Sequence, residues 1–99
     1  MTMGLAMTLF AIAPMTFAQP PGVVFPDYYP EEFSGVGRIV SIDGDKVVID
    51  DQLYYLSQRV TYHTLIQEYA FKSVLKPGML VGFVRGSVNQ IVSLYVIQE

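Results

Sequence analysis

Four aspartates surround one glycine in the stretch GRIVSIDGDKVVIDD: Asp43, Asp45, Asp50 and Asp51, with Gly44 between the first two. Alternating carboxylates beside a glycine are the start of a calcium loop, which also needs oxygen ligands further on and a closing bidentate glutamate. Here Lys46 follows at once, Val47, Val48 and Ile49 occupy the ligand positions, and no glutamate closes the loop. The same aspartates suit two tight turns, because Asp-Gly is a strong hairpin signal. His63 is the only histidine. Catalysis would require a nucleophile held against it. Ser57, Thr64 and Ser73 are available, but their spacing singles out none, and His63 reads as a surface or loop residue. Glu31 and Glu32 form a solvated pair beside Pro30, and a chain this short leaves little room for a sugar-sized cleft between two carboxylates. No glycine-rich phosphate loop precedes a helix. We therefore expect no enzyme, no metal and no cofactor.

The aromatic residues carry a different chemistry. Seven Tyr and six Phe make up 13% of the chain. Tyrosine suits interfaces because it is large, rigid and tipped with a hydroxyl. Tyr54 and Tyr55 are adjacent on an expected strand, so one must face outward. Phe25, Tyr28, Tyr29, Tyr54, Tyr55, Tyr62 and Tyr69 are the candidate partner-binding residues. Tyr95 is a further member of any exposed strip. The competing reading is that these rings cap a small core.

The elements that must position them begin after an apolar run. Residues 3–13, MGLAMTLFAIA, carry no charge and are far shorter than the roughly 20 residues that span a bilayer. Pro14 breaks the run, and Thr16 and Ala18 fit small-x-small cleavage, so residues 1–18 read as a signal peptide cut before Gln19. No Lys or Arg precedes Arg38. Either the start codon lies elsewhere or the N-terminal amine serves alone. The expected product is periplasmic or secreted, without stable membrane insertion after cleavage. All charged residues lie beyond Ala18, so the net charge stays at −3. That argues against nucleic acid, whose binders show a basic patch, and against docking to an anionic membrane surface. The absence of cysteine removes disulfides, thiol catalysis and lipidation at an N-terminal cysteine.

Residues 19–32, QPPGVVFPDYYPEE, hold four of the six prolines and cannot sit inside a sheet. They form an extended arm, which either folds back on the domain or binds a partner. Residues 33–99 alternate strand and turn signals. Expected strands cover residues 36–42, 46–49, 52–56, 79–85 and 90–97, with a further strand near 59–62. The fold class is all-β, a small five- to six-stranded barrel of oligonucleotide/oligosaccharide-binding (OB) or SH3-like type with one short helical turn. Ile39 and Ile42 are three apart, as are Ile91 and Leu94, so a bulge in each strand is needed to bring both members inward. The echoed strings RIVSI and QIVSL predict two bent strands that pair to close the barrel. Within residues 59–74, Thr64 and Gln67 resemble a capping box and Ser73 an N-cap for a turn at residues 73–75.

Four stretches together have a family look: Gly37-x-Ile-x-x-Ile-Asp-Gly, Val47-Val-Ile-Asp-Asp-Gln-x-Tyr-x-Leu, Leu75-Lys-Pro-Gly-x-x-Val-x-Phe and Ile91-x-x-Leu-Tyr-Val. Across residues 37–96 the chain resembles small exported type IV pilus (fimbrial) biogenesis proteins encoded near the pilus-tip adhesin. The resemblance implies a small periplasmic β-barrel, without catalytic residues, that assists pilus assembly by binding another pilus protein. A glycan- or small-ligand-binding OB-like barrel is the alternative, and a small hydrolase built on His63 a third.

Overall fold

The computed structural model describes residues 24–99; the expected signal peptide and the first residues of the arm lie outside the described residues. Five strands follow the arm: β1 (Gly35–Asp43), β2 (Lys46–Ile49), β3 (Gln52–His63), β4 (Leu80–Ser87) and β5 (Gln90–Gln98). In β2 the alternation is strict. Val47 and Ile49 are buried while Lys46 and Val48 face out, as the two-residue period of a half-buried strand demands. Two-residue turns join β1 to β2 at Gly44–Asp45 and β2 to β3 at Asp50–Asp51. Gly44 and Asp50 both take positive φ, at 61° and 53°. Glycine does so freely, and aspartate tolerates it when its carboxylate finds a local donor. Asp50 finds one, since its Oδ1 accepts the Arg38 N–H at 3.0 Å.

Both predicted bulges are present. The β1–β2 register shifts between Ile39 and Ser41, and the β4–β5 register shifts between Val84 and Arg85, opposite Val92. Val40 and Val92 are thus the extra residues, and Ile39 with Ile91 and Leu94 reaches the core. The pairing expected between these two strands does not occur. β1 closes the sheet against β4, from Gly35↔Phe83 to Arg38↔Leu80, and β5 lies between β3 and β4. The ring order is β1-β2-β3-β5-β4, with β3 and β5 parallel. The reason is the connection after β3. It crosses one end of the barrel and returns the chain as β4 beside β1, which leaves only the gap between β3 and β4 for β5. A closed five-stranded barrel of this connectivity is the OB architecture, and closure removes the exposed edges that an open sheet would present.

The segments expected as separate strands at residues 52–56 and 59–62 are one continuous β3, because its second half pairs with β5 after a shift between Leu56 and Thr61. The helical turn is a 3-10 turn at Lys72–Val74, one residue earlier than expected. Phe71, not Ser73, precedes it, and no side chain caps it. None of its residues is buried, so water can satisfy the free amide groups that a capping oxygen would otherwise take. Beyond it, Leu75 and Met79 drop into the core and plug that end of the barrel, packing with Val47, Leu56, Val81, Phe83, Ile91, Leu94 and Val96.

The arm folds back on the barrel. Tyr29 is only 6% exposed, and its hydroxyl donates to the Val96 carbonyl at 2.5 Å. Phe33 lies flat on Gly82, where an added Cβ would stand 2.6 Å from the ring. Phe25, Tyr29, Phe33 and Tyr95 form edge-on and tilted pairs at 5.0 to 6.4 Å between centroids. Such pairs add to the burial of their rings.

Candidate functional site

His63 ends β3 and is buried, not exposed as expected. Its ring stacks on Tyr95 at 4.4 Å and 14°, with Tyr69 at 5.3 Å on another side. Nδ1 meets the main-chain carbonyl of Glu68, and Nε2 lies 2.8 Å from Thr61 Oγ1. A carbonyl only accepts, so Nδ1 carries the proton and Nε2 receives the Thr61 hydroxyl. Both ring nitrogens are thereby engaged within the fold. The two serines considered as partners are not in this cluster, and Ser57 Oγ accepts the Arg59 N–H instead. What His63 does is fasten the loop that follows it.

That loop, residues 64–71, is ordered by further bonds. Thr64 Oγ1 accepts the N–H groups of Ile66 and Gln67, and the Ala70 N–H donates to the Tyr62 carbonyl. The Thr64 hydroxyl thus makes the backbone bonds of a cap with no helix behind it. The reciprocal bond to the Thr64 N–H comes from the Gln67 main-chain carbonyl and not from its side chain. The arm adds a bond from Tyr28 Oη to the Thr64 carbonyl at 2.6 Å. On this pinned loop Ile66, Tyr69 and Phe71 are 91%, 69% and 82% exposed. Sequence reasoning missed Ile66 and Phe71. Their signal was a strand connection far more apolar than a solvated loop requires. Beside the loop lies a cleft of about 330 Å³, walled by Leu65, Ile66, Val74, Met79, Val96 and Ile97 among others.

A second exposed surface crosses β1, β2 and β3. The cross-strand pairs Ser41↔Val48 and Val48↔Leu53 align the bulged Val40 with Val48 and Leu53 on the outer face. In the next row Lys46 pairs with Tyr55. Val40, Leu53 and Tyr55 are exposed, as is Val88 in the β4–β5 turn, which bonds Tyr55 through the Asn89 carbonyl. In OB barrels the β2–β3 face and the β1–β2 and β4–β5 loops bind ligands. Here both loops are two-residue turns, so the face is open and has no raised walls.

The seven aromatic candidates therefore separate. Tyr29 is buried, and Phe25 and Tyr28 are half-buried in the arm. Tyr54 packs on Phe83 at 4.8 Å, and Tyr62 packs on the core. Tyr55, on β3, and Tyr69, in the β3–β4 loop, are exposed. Burial raises the Tyr29 phenol well above its ordinary range, with Tyr28 and Tyr95 adding to the effect. Burial also raises Tyr62, and it raises Tyr28 with a further push from the Glu68 carboxylate. Neutral phenols are thus preferred throughout the arm contact. The turn aspartates Asp43, Asp45 and Asp51 are exposed, and among the described residues no group of three or more His, Asp or Glu is placed to hold a metal ion. No protein family, curated protein or solved structure matches the chain.

Proposed function

We propose that the protein is a non-catalytic accessory module, exported to the periplasm or secreted, that assists type IV pilus biogenesis by binding another pilus-assembly protein. The pilus assignment rests on the resemblance carried by residues 37–96. The observation that supports binding is the apolar strip Val40–Val48–Leu53 with Tyr55, set in register across three strands of a rigid barrel. A flat face with short flanking turns suits the side chains of another protein, whereas a sugar or an oligonucleotide is usually gripped between raised loops. The non-catalytic character fits a histidine whose two nitrogens are both spent on structure.

The test is genetic and then specific. Deleting the gene should reduce piliation and twitching motility, and wild-type protein should restore both. Leu53→Glu with Tyr55→Glu should fold, because both side chains face solvent, yet fail to restore them. Normal pili and normal twitching in the deletion strain would refute the pilus reading. Chemical-shift changes on titration with cell-wall glycans would favour the sugar-binding alternative.

A further inference from the structure

The plugged end of the barrel has no part in the proposed pilus-binding face. Two clefts adjoin there. The first, of about 330 Å³, lies between the β3–β4 loop and the end of β5, with Leu65, Ile66, Val96 and Ile97 among its walls. The second, of about 420 Å³, is lined by Ser73, Lys76, Pro77 and Gly78 ahead of β4. Val74, Met79 and Glu99 line both, so the two clefts meet along a shared sill. One half is largely apolar, and the other carries both charge signs, from Lys76 and Glu99. Among the described residues no ion pair joins these two side chains. The walls are held in place. Thr64 Oγ1 accepts the N–H groups of Ile66 and Gln67, and Tyr28 Oη donates to the Thr64 carbonyl. Across the sill, Arg38 Nη1 donates to the Gly78 carbonyl at 2.8 Å and Nη2 to Gln98 Oε1 at 3.3 Å. Gly78 lines the second cleft and Gln98 the first, so one guanidinium ties a wall of each. A pre-formed recess of this size, mostly apolar with a few convergent polar groups, is the usual form of a small-molecule site.

We propose that these joined clefts bind a small zwitterion with an apolar tail, the chemistry of a free apolar amino acid. The tail enters the first cleft, whose volume of about 330 Å³ exceeds the roughly 150 Å³ that suffices to hold a benzene ring. Glu99 stands on the sill, where the tail joins the polar end, and meets the ammonium. Lys76 lines only the second cleft and meets the carboxylate. The pairing of signs selects the class of ligand. A fatty acid would set its carboxylate beside Glu99 with no ammonium to offset it, and a simple amine would leave Lys76 unmatched. A sugar has no apolar tail for the first cleft.

Titration of the full chain, purified in the form the cell leaves it, with L-phenylalanine tests this through backbone amide chemical shifts. Saturable shifts should appear at Ile66, Gly78, Ile97 and Gln98 and be absent at Val48 and Leu53, with a dissociation constant of about 1 mM or below. N-acetylphenylalanine lacks the ammonium and phenethylamine lacks the carboxylate, so each should bind about threefold or more weakly. Glu99→Ala should erase the preference over N-acetylphenylalanine and keep that over phenethylamine. Lys76→Ala should do the reverse. Both side chains are exposed, so both variants should fold. No saturable shift up to about 20 mM phenylalanine overturns the proposal. So does equal affinity for the three compounds, or a preference that both variants leave unchanged. None of these outcomes bears on the pilus-binding face, which lies across β1–β3.

Discussion

Tyr29 concentrates several effects in one side chain. It fills the space between the arm and β5, and its hydroxyl satisfies the Val96 carbonyl. Replacing it with Phe keeps the ring and removes one buried hydrogen bond, at a cost of about 1 kcal/mol. The same residue gives the fold an alkaline limit. Its folded-state pKa is raised above the ordinary 10, so the stability it contributes is complete below pH 10. Above pH 10 the unfolded chain loses that proton while the folded chain keeps it, and stability falls as pH rises toward the folded value. The slope from one such group is at most about 1.4 kcal/mol per pH unit. Urea unfolding at pH 9, 10 and 11 should show that decline in the native chain and a shallower one in Tyr29→Phe. Tyr62 and Tyr28 account for what remains, since burial raises both. Identical slopes would show that the Tyr29 hydroxyl is not buried.

At the scale of the element, the bulges at Val40 and Val92 give the barrel its bends. Each lets two core residues three apart in sequence face inward while the valine between them turns out. Deleting Val40 would leave Ile39 and Ile42 two positions apart, so both would still face inward, but it would remove the bend that the extra residue gives β1. The expected result is a loss of about 1–3 kcal/mol, from closing the barrel without that bend, read as a lower urea midpoint. Val40→Thr keeps the residue count and β-branching, and should change stability by less than about 0.5 kcal/mol. A Val40 deletion that unfolds like the native chain would mean that the bulge is dispensable. The β3–β4 connection shows the opposite relation between pattern and element. Leu65, Ile66, Tyr69 and Ala70 have helical spacing, but no helix forms there. Hydrogen bonds from His63 and Thr64, and a bridge between Tyr62 and Ala70, take the backbone groups that a helix would have used.

For the whole molecule, the arm belongs to the fold. Phe25, Tyr28, Tyr29 and Phe33 cover Tyr95, His63 and Gly82, so aromatic residues that read as a partner-binding tail largely complete the barrel's own packing. A domain of this size buries only about 60% of its unfolded surface and depends on such additions. Replacing Tyr29 and Phe33 together with Ala should therefore cost several kcal/mol. At about 4–8 °C per kcal/mol, the melting temperature should fall by more than 12 °C. A shift of only a few degrees would show that the arm is a free tail.

The local features were legible in the sequence: the aspartate turns, the β2 alternation, the two bulged strands and the all-β class. Each depends on residues within a few positions of one another, through φ preference, two-residue periodicity or a three-residue spacing that only a bulge reconciles. Also legible was that one of Tyr54 and Tyr55 must face outward. Which strands meet was decided elsewhere. RIVSI and QIVSL look like partners, yet β1 pairs with β4 and β5 pairs with β3 and β4, because the path of residues 64–79 across the barrel end fixes where β4 returns. Exposure of the aromatics was also a tertiary outcome. Tyr29 and Tyr69 are equivalent as residues, but the first belongs to the arm and is pressed against β5, while the second sits on a loop fastened by His63. Burial depends on what the rest of the chain places above a side chain, and no local pattern of residues encodes that.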